Sequence, residues 1–291
     1  RTRLRRRTAA PAAAEVDAAA AAAAPAEDAA GGAGPADSKE AEAPAEGGKK
    51  KRKKRWFPLE SNPHVMNKYL EKLGFPTMMY HTVEVMSTDD WALDMVPKPV
   101  IGVVMLFPVK DASEKHRHEE AARIAAEGQD LPAEVYYTKQ TVGNACGTIG
   151  LLHVAANATS FAGSDLVPLG EDSWLYRFLA RTKDMTPDER AAALEDDDEL
   201  EESHGAAASE GQTTVPDIDE SVNAHFVAFS NVKGKLVELD GRKKSPIVHG
   251  DTTPETLLAD ACKVVRDFMA RDPDEVRFTI VALAANTGDD M

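Results

Sequence analysis

The chain has 291 residues, 43% of them hydrophobic, a formal net charge of −15 and two cysteines. Two cysteines exclude a disulfide-stapled scaffold and fit a reducing compartment. No apolar run reaches the ~18 residues that span a membrane, and the Ala18–Ala24 tract is short and lies between Asp17 and Glu27.

The composition changes at Trp56. Residues 1–55 are Ala, Gly, Pro, Glu and Lys/Arg with almost no large apolar side chains, too few to offset chain entropy, and read as a disordered tail. The tail carries 13 Lys/Arg and 8 Asp/Glu, net +5, which leaves 21 basic against 41 acidic residues, net −20, in the body. An acidic body disfavours nucleic acid as a partner, except through the tail, and favours a basic protein partner. The Arg- and Ala-rich start resembles an organelle transit peptide, but Glu15, Asp17, Glu27 and Asp28 weigh against one. Lys49–Arg55 is a run of seven cations, which suits nuclear import or, equally, a solvated basic linker. The expected location is cytoplasmic, with the nucleus open through that run.

Residues 56–291 suffice for one domain with a sizeable core. After Asn62–Pro63, Val65, Met66, Tyr69, Leu70 and Leu73 follow helical spacing up to Gly74. Val100–Phe107 is nearly all apolar and predicts a strand covered on both faces. His116–Glu127 predicts a charged helix; His116, His118, Glu119 and Glu120 look like ligands but read as a solvated face, because no matching set follows. No metal or other cofactor is expected.

Lys139–Gly150 is the most informative stretch. It sets Cys146 in a glycine-rich turn ahead of the apolar helical run Ile149–Ala156. A cysteine in the first turn of a helix meets unpaired N–H groups and the positive end of the helix dipole, which favour thiolate. Gln140, six residues upstream, offers an amide donor for an oxyanion. The bland reading, a buried core cysteine, suits Cys262 better, since it sits in the amphipathic run Thr256–Ala270. Gly143, Gly147 and Gly150 do not make a phosphate loop, because no Gly-Lys-Ser/Thr follows.

Trp174–Ala180 and Pro187–Leu194 predict short helices. The acidic Glu195–Glu202 and the small, polar Ser203–Pro216 read as a long mobile loop. His225–Phe229 and Lys235–Asp240 then form a hairpin. A turn at Val232–Lys233 sets His225 opposite Asp240, whereas a type I′ turn at Lys233–Gly234 makes them diagonal neighbours. A lone histidine opening a strand is more often structural than catalytic. The hairpin arithmetic and the single activated cysteine tip the balance.

The Gln140–Gly150 segment, the His225–Phe226 strand and Glu238-Leu239-Asp240-Gly241-Arg242 resemble the ubiquitin carboxyl-terminal hydrolases, a family of cysteine peptidases. The likeness runs from Trp56 through Asn62–Pro63 to Arg277–Phe278, and is strong towards the small branch called isozyme L-three. It implies an α/β fold of α-β-α layers, papain-like, with a central antiparallel sheet, flanking helices and a knotted backbone. It also implies Cys146 as nucleophile, His225 as general base and acid, Asp240 as the residue orienting the imidazole and Gln140 as oxyanion donor. Pro58, Leu59, Glu60, Ser61, Asn62 and Pro63, with Ala208, Ser209, Glu210, Gly211, Gln212 and Thr213, match segments that touch ubiquitin. The second segment belongs to a crossover loop, placed at about 195–220, that limits leaving-group size. Here its approach is more acidic and its centre blander than the family pattern. The implied activity is cleavage of small adducts from the C-terminal glycine of ubiquitin, or of the modifier used in neddylation, by a monomer. The alternative is a ubiquitin-binding module without turnover.

Overall fold

The computed structural model describes residues 54–212 and 223–288. The tail, including Lys49–Lys53 of the cationic run, lies outside the described residues. Lys54 and Arg55 already belong to the body: Arg55 forms a parallel bridge with Gly143, and Lys54 pairs with Glu201 at 2.5 Å.

In chain order the elements are α1 (Pro63–Lys72), β1 (Tyr80–Glu84), α2 (Asp90–Met95), β2 (Val100–Pro108), α3 (Asp111–Glu127) and α4 (Cys146–Asn157). There follow α5 (Trp174–Thr182), α6 (Pro187–Glu195), α7 (Asp198–Ser209), β3 (Ala224–Val232), β4 (Lys235–Leu239), β5 (Ile247–Asp251), α8 (Leu257–Ala270) and β6 (Thr279–Ala285). The strands form one antiparallel sheet in the order β1-β6-β2-β3-β4-β5. β2 and β3 lie at its centre, which explains the unbroken apolar run of β2. Val103, Met105 and Phe107 face one core and Val104 and Leu106 the other.

On one face α4 packs against β2 and β3, and its residues from Gly147 to Asn157 are all buried. That is why its sequence is apolar all round rather than along one stripe. On the other face α8 buries Leu257, Leu258, Ala261, Cys262, Val264, Val265 and Phe268. Each large apolar side chain there contributes about 1.5–3 kcal/mol. The layers are therefore α-β-α. Among the described residues no helix is long and apolar enough to cross a membrane.

Two expectations need correction. Asp198–Ser209 is helix α7, not loop. Asp197 caps it, its side chain accepting from the Leu200 N–H at 2.8 Å, and Asp198, Glu199 and Glu201 fill the first turn, where carboxylates favour the helix dipole. Leu200, Ser203, His204, Ala207 and Ala208 are buried at helical spacing, a period hidden by their small size and polarity. The second concerns α3. Glu120 is not solvated but buried, with Oε2 at 2.6 Å from Lys243 Nζ.

Candidate active site

Cys146 opens α4 and is half-buried, which sets its sulfur at the helix N-terminus. Asn144, two residues earlier, takes a left-handed conformation with φ of 61° and its Nδ2 donates to Trp56 O at 3.0 Å, tying the turn before the cysteine to the segment that precedes α1. The thiol is pushed up by burial. The His225 side chain and the Phe226 and Gly147 N–H groups outweigh that and hold it below its ordinary value.

His225 lies on β3 and Asp240 follows β4. The pairing of Val232 with Lys235 makes the turn Lys233–Gly234, with φ of 51° and 81°, as a type I′ turn requires. The diagonal arrangement results: His225 Nε2 donates to Asp240 Oδ1 at 2.6 Å. Both side chains are buried. Burial pulls the imidazole down, but the Asp240 carboxylate and the Cys146 sulfur raise it to about 9. Burial likewise raises Asp240, and the charge and hydrogen bond of His225 with the Arg242 N–H outweigh it, leaving the carboxyl below its ordinary value. The three groups therefore favour a thiolate–imidazolium–carboxylate arrangement.

The Asp240 turn is held from several sides. Oδ1 also accepts the Arg242 N–H at 2.9 Å, and Tyr137 Oη lies 2.7 Å from the carbonyls of both Asp240 and Lys243. Gln140 N–H donates to Gly241 O at 2.9 Å. A Cβ on Gly241 would sit 3.0 Å from Gln140 Cβ and 3.1 Å from its backbone nitrogen, so a side chain there would force the two segments apart by a few tenths of an ångström. The Gln140 amide nitrogen donates to Val142 O at 3.1 Å, and its Oε1 is buried without a partner. An amide carries two donor hydrogens, so one remains.

The two segments expected to contact a partner come together. Glu60 Oε2 accepts the Gln212 N–H at 2.7 Å, and Lys68 of α1 pairs with Glu210 at 2.9 Å. Asn62 caps α1 by accepting the His64 N–H, and Pro63 begins it. Leu59 and Ala208 are buried in the body rather than presented outward, and Ser61 Oγ is buried without a partner. Pro58, Ser209, Gly211 and Gln212 are at least partly exposed, and Thr213 lies outside the described residues.

Sequence reasoning missed three buried side chains that align these segments. His153, two turns after Cys146 on α4, accepts the Thr138 N–H on Nε2 at 3.1 Å, places Nδ1 3.3 Å from Leu239 O and stacks on Tyr137. It thus joins the helix of the cysteine to the segments leading to Gln140 and Asp240. Burial lowers its pKa to about 4. His204 of α7 bridges Thr148 Oγ1 at 2.7 Å and Phe57 O at 2.6 Å beneath Trp56. Asp197 accepts from Trp174 Nε1 at 3.0 Å. A histidine inside an all-apolar helix was the available signal for His153. Among the described residues no group of His, Cys, Asp and Glu is arranged to hold a metal.

The family described as ubiquitin carboxyl-terminal hydrolase, family 1, matches residues 56–270. Ubiquitin carboxyl-terminal hydrolase 3 of Arabidopsis thaliana is 44% identical over 234 residues, 80% of this chain and 96% of that protein. The human isozyme L1 is 40% identical over 226 residues, 78% and 96% of the two chains. The UCH37 catalytic domain of Trichinella spiralis, solved bound to ubiquitin vinyl methyl ester, shares the fold with a TM-score of 0.62 at 22% identity, covering 80% of this chain and 96% of that one. The chain therefore belongs to the ubiquitin carboxyl-terminal hydrolases, a family of cysteine-type peptidases.

Proposed function

We propose that this enzyme hydrolyses small adducts from the C-terminal glycine of ubiquitin, with Cys146, His225, Asp240 and Gln140 as its machinery. The observation that carries the reading is the 2.6 Å bond from buried His225 to buried Asp240 beside a cysteine at a helix N-terminus. The Cys146 thiolate attacks the glycine carbonyl, and the C=O electron pair moves onto oxygen. The second Gln140 amide hydrogen and the Cys146 N–H stabilise that oxyanion. Imidazolium His225 gives its proton to the leaving amine as the C–N bond breaks, leaving a thioester. Neutral His225 then takes a proton from water, whose oxygen attacks the thioester; the C–S bond breaks to give back the thiolate beside imidazolium His225, and the released carboxylic acid gives its proton to solvent. Asp240 holds the imidazole in register throughout.

Glu60 and the Glu210–Gln212 segment, joined across α1 and α7, are the expected frame for the modifier's tail. The acidic body suits a basic tail, and salt should weaken the association. The modifier of neddylation is a second substrate on the same grounds. Hydrolysis of fluorogenic C-terminal amides of the two modifiers, by the chain and by Cys146→Ala, tests the reading. Turnover abolished by the substitution supports it. Tight binding with no turnover in either protein sinks it and leaves a binding module.

A further inference from the structure

Helix α3 is joined to the body chiefly through charge. Its one buried residue is Glu120. Glu120 Oε2 lies 2.6 Å from Lys243 Nζ, and Lys243 Nζ lies 2.5 Å from Glu238 Oε1. The other oxygen of Glu238 is 2.7 Å from His249 Nε2 of β5. Glu114, a turn and a half earlier on α3, pairs with Arg242 at 2.9 Å. Gln129, just past the helix, donates to Pro246 O and accepts the Val248 N–H. α3 therefore grips residues 242–248, the segment that leaves the Asp240 turn.

We propose that Lys243 is a positioning residue for the Cys146–His225–Asp240 site, pinned by Glu120 of α3 and Glu238 of β4 so that its turn aims the Asp240 carboxylate at His225. The backbone carries the connection. Lys243 N–H donates to Asp240 O at 2.9 Å, and Tyr137 Oη spans both carbonyls. The Arg242 N–H inside that turn shares Asp240 Oδ1 with His225. A displacement of Lys243 thus reaches the oxygen that orients the imidazole.

The charges around Lys243 are Glu120 and His116 from α3, Glu238 from β4, His249 from β5 and Arg271 after α8. Around Asp240 the charged groups are His225 and Glu238, with the neutral Tyr137 hydroxyl and the Arg242 backbone N–H as hydrogen-bond partners of its turn. Without Lys243, Glu238 stays buried with its strongest counter-ion gone, and the turn yields to relieve it.

The inference rests on the proposed reaction, and the test separates the two. Lys243→Met and Glu120→Gln are compared with the intact chain in hydrolysis of a ubiquitin C-terminal amide across pH. Both should bind with unchanged KM. Lys243→Met should lower kcat about tenfold or more, since a misplacement of 1 Å can cost of order 10²-fold. Both should move the basic limb of the pH profile to lower pH, because a poorly held carboxylate supports the imidazolium less. Glu120→Gln keeps the neutral shape and decides the matter where Lys243→Met does not fold. Variants that melt earlier yet keep kcat and the basic limb would overturn the proposal. If the intact chain hydrolyses nothing, the functional reading fails by itself. The pH dependence of Cys146 alkylation by iodoacetamide then decides: a shifted profile supports positioning by Lys243, an unshifted one refutes it.

Discussion

Replacing Asp240 by asparagine removes one charge and little else. The substituted side chain keeps an oxygen for the Arg242 N–H and for His225 Nε2, so the turn and the imidazole can stay in place. The loss falls on the imidazolium. Burial of His225 pulls its pKa down, and Asp240 at 2.6 Å is the main opposing influence that raises it to about 9. Without that charge His225 should titrate at 6.5 or below. Going from about 9 to the ordinary 6.5 corresponds to about 3 kcal/mol at 1.36 kcal/mol per tenfold. At pH 8 the protonated fraction falls about 30-fold, whereas at pH 6 it hardly changes. The ratio of kcat/KM between the chain and Asp240→Asn, measured with a ubiquitin C-terminal amide, should therefore rise about 20-fold or more between pH 6 and pH 8. A ratio constant over that range would show that Asp240 acts by shape alone and would refute the electrostatic account.

Gln140→Ala should reduce kcat by about 10²–10³ with ubiquitin binding retained, as for other oxyanion donors; unchanged kcat would remove Gln140 from the machinery. Gly241→Ala forces a Cβ against Gln140 and should destabilise the fold by about 1–3 kcal/mol while slowing turnover, read by urea melts and kinetics. Leu200→Ala should cost about 2–5 kcal/mol if α7 is packed helix, and under about 0.5 kcal/mol if that segment behaves as exposed loop. His153 is held neutral to about pH 4 against about 6.5 when unfolded. Its depressed folded value makes it a contributor above pH 6.5 that is lost progressively as pH falls towards 4. Between pH 7 and pH 5 the chain should lose about 2 kcal/mol that His153→Leu does not lose, measured as the difference between the two in urea melts. Equal losses would mean that His153 titrates normally.

The local structure around the candidate site residues was legible in part, where a short pattern carried it. Cys146 before an apolar run announced a helix start, whereas the hairpin left two turns open until the pairing of Val232 with Lys235 made His225 and Asp240 diagonal neighbours. The central strand β2 was legible because burial on both faces leaves no polar alternation. α7 was not, because its inward stripe is Leu200, Ser203, His204, Ala207 and Ala208, largely small or polar. Burial there is satisfied by hydrogen bonds, such as that from His204 to Thr148, as well as by apolar area. Glu120 was misread for a related reason. A carboxylate on a charged helix looks solvated until its cation, Lys243, arrives from 123 residues further along the chain. His153 and Tyr137 join segments distant in sequence, and such contacts leave no local spacing to detect.

Covalent capture tests the central claim most directly. The chain, Cys146→Ala and His225→Ala are each mixed with ubiquitin carrying a thiol-reactive C-terminal group, and the adducts are weighed and mapped. One ubiquitin joined to Cys146, none in Cys146→Ala and a slowed reaction in His225→Ala is the predicted result. Attachment at Cys262, or tight binding of ubiquitin with Cys146 left free, would contradict it.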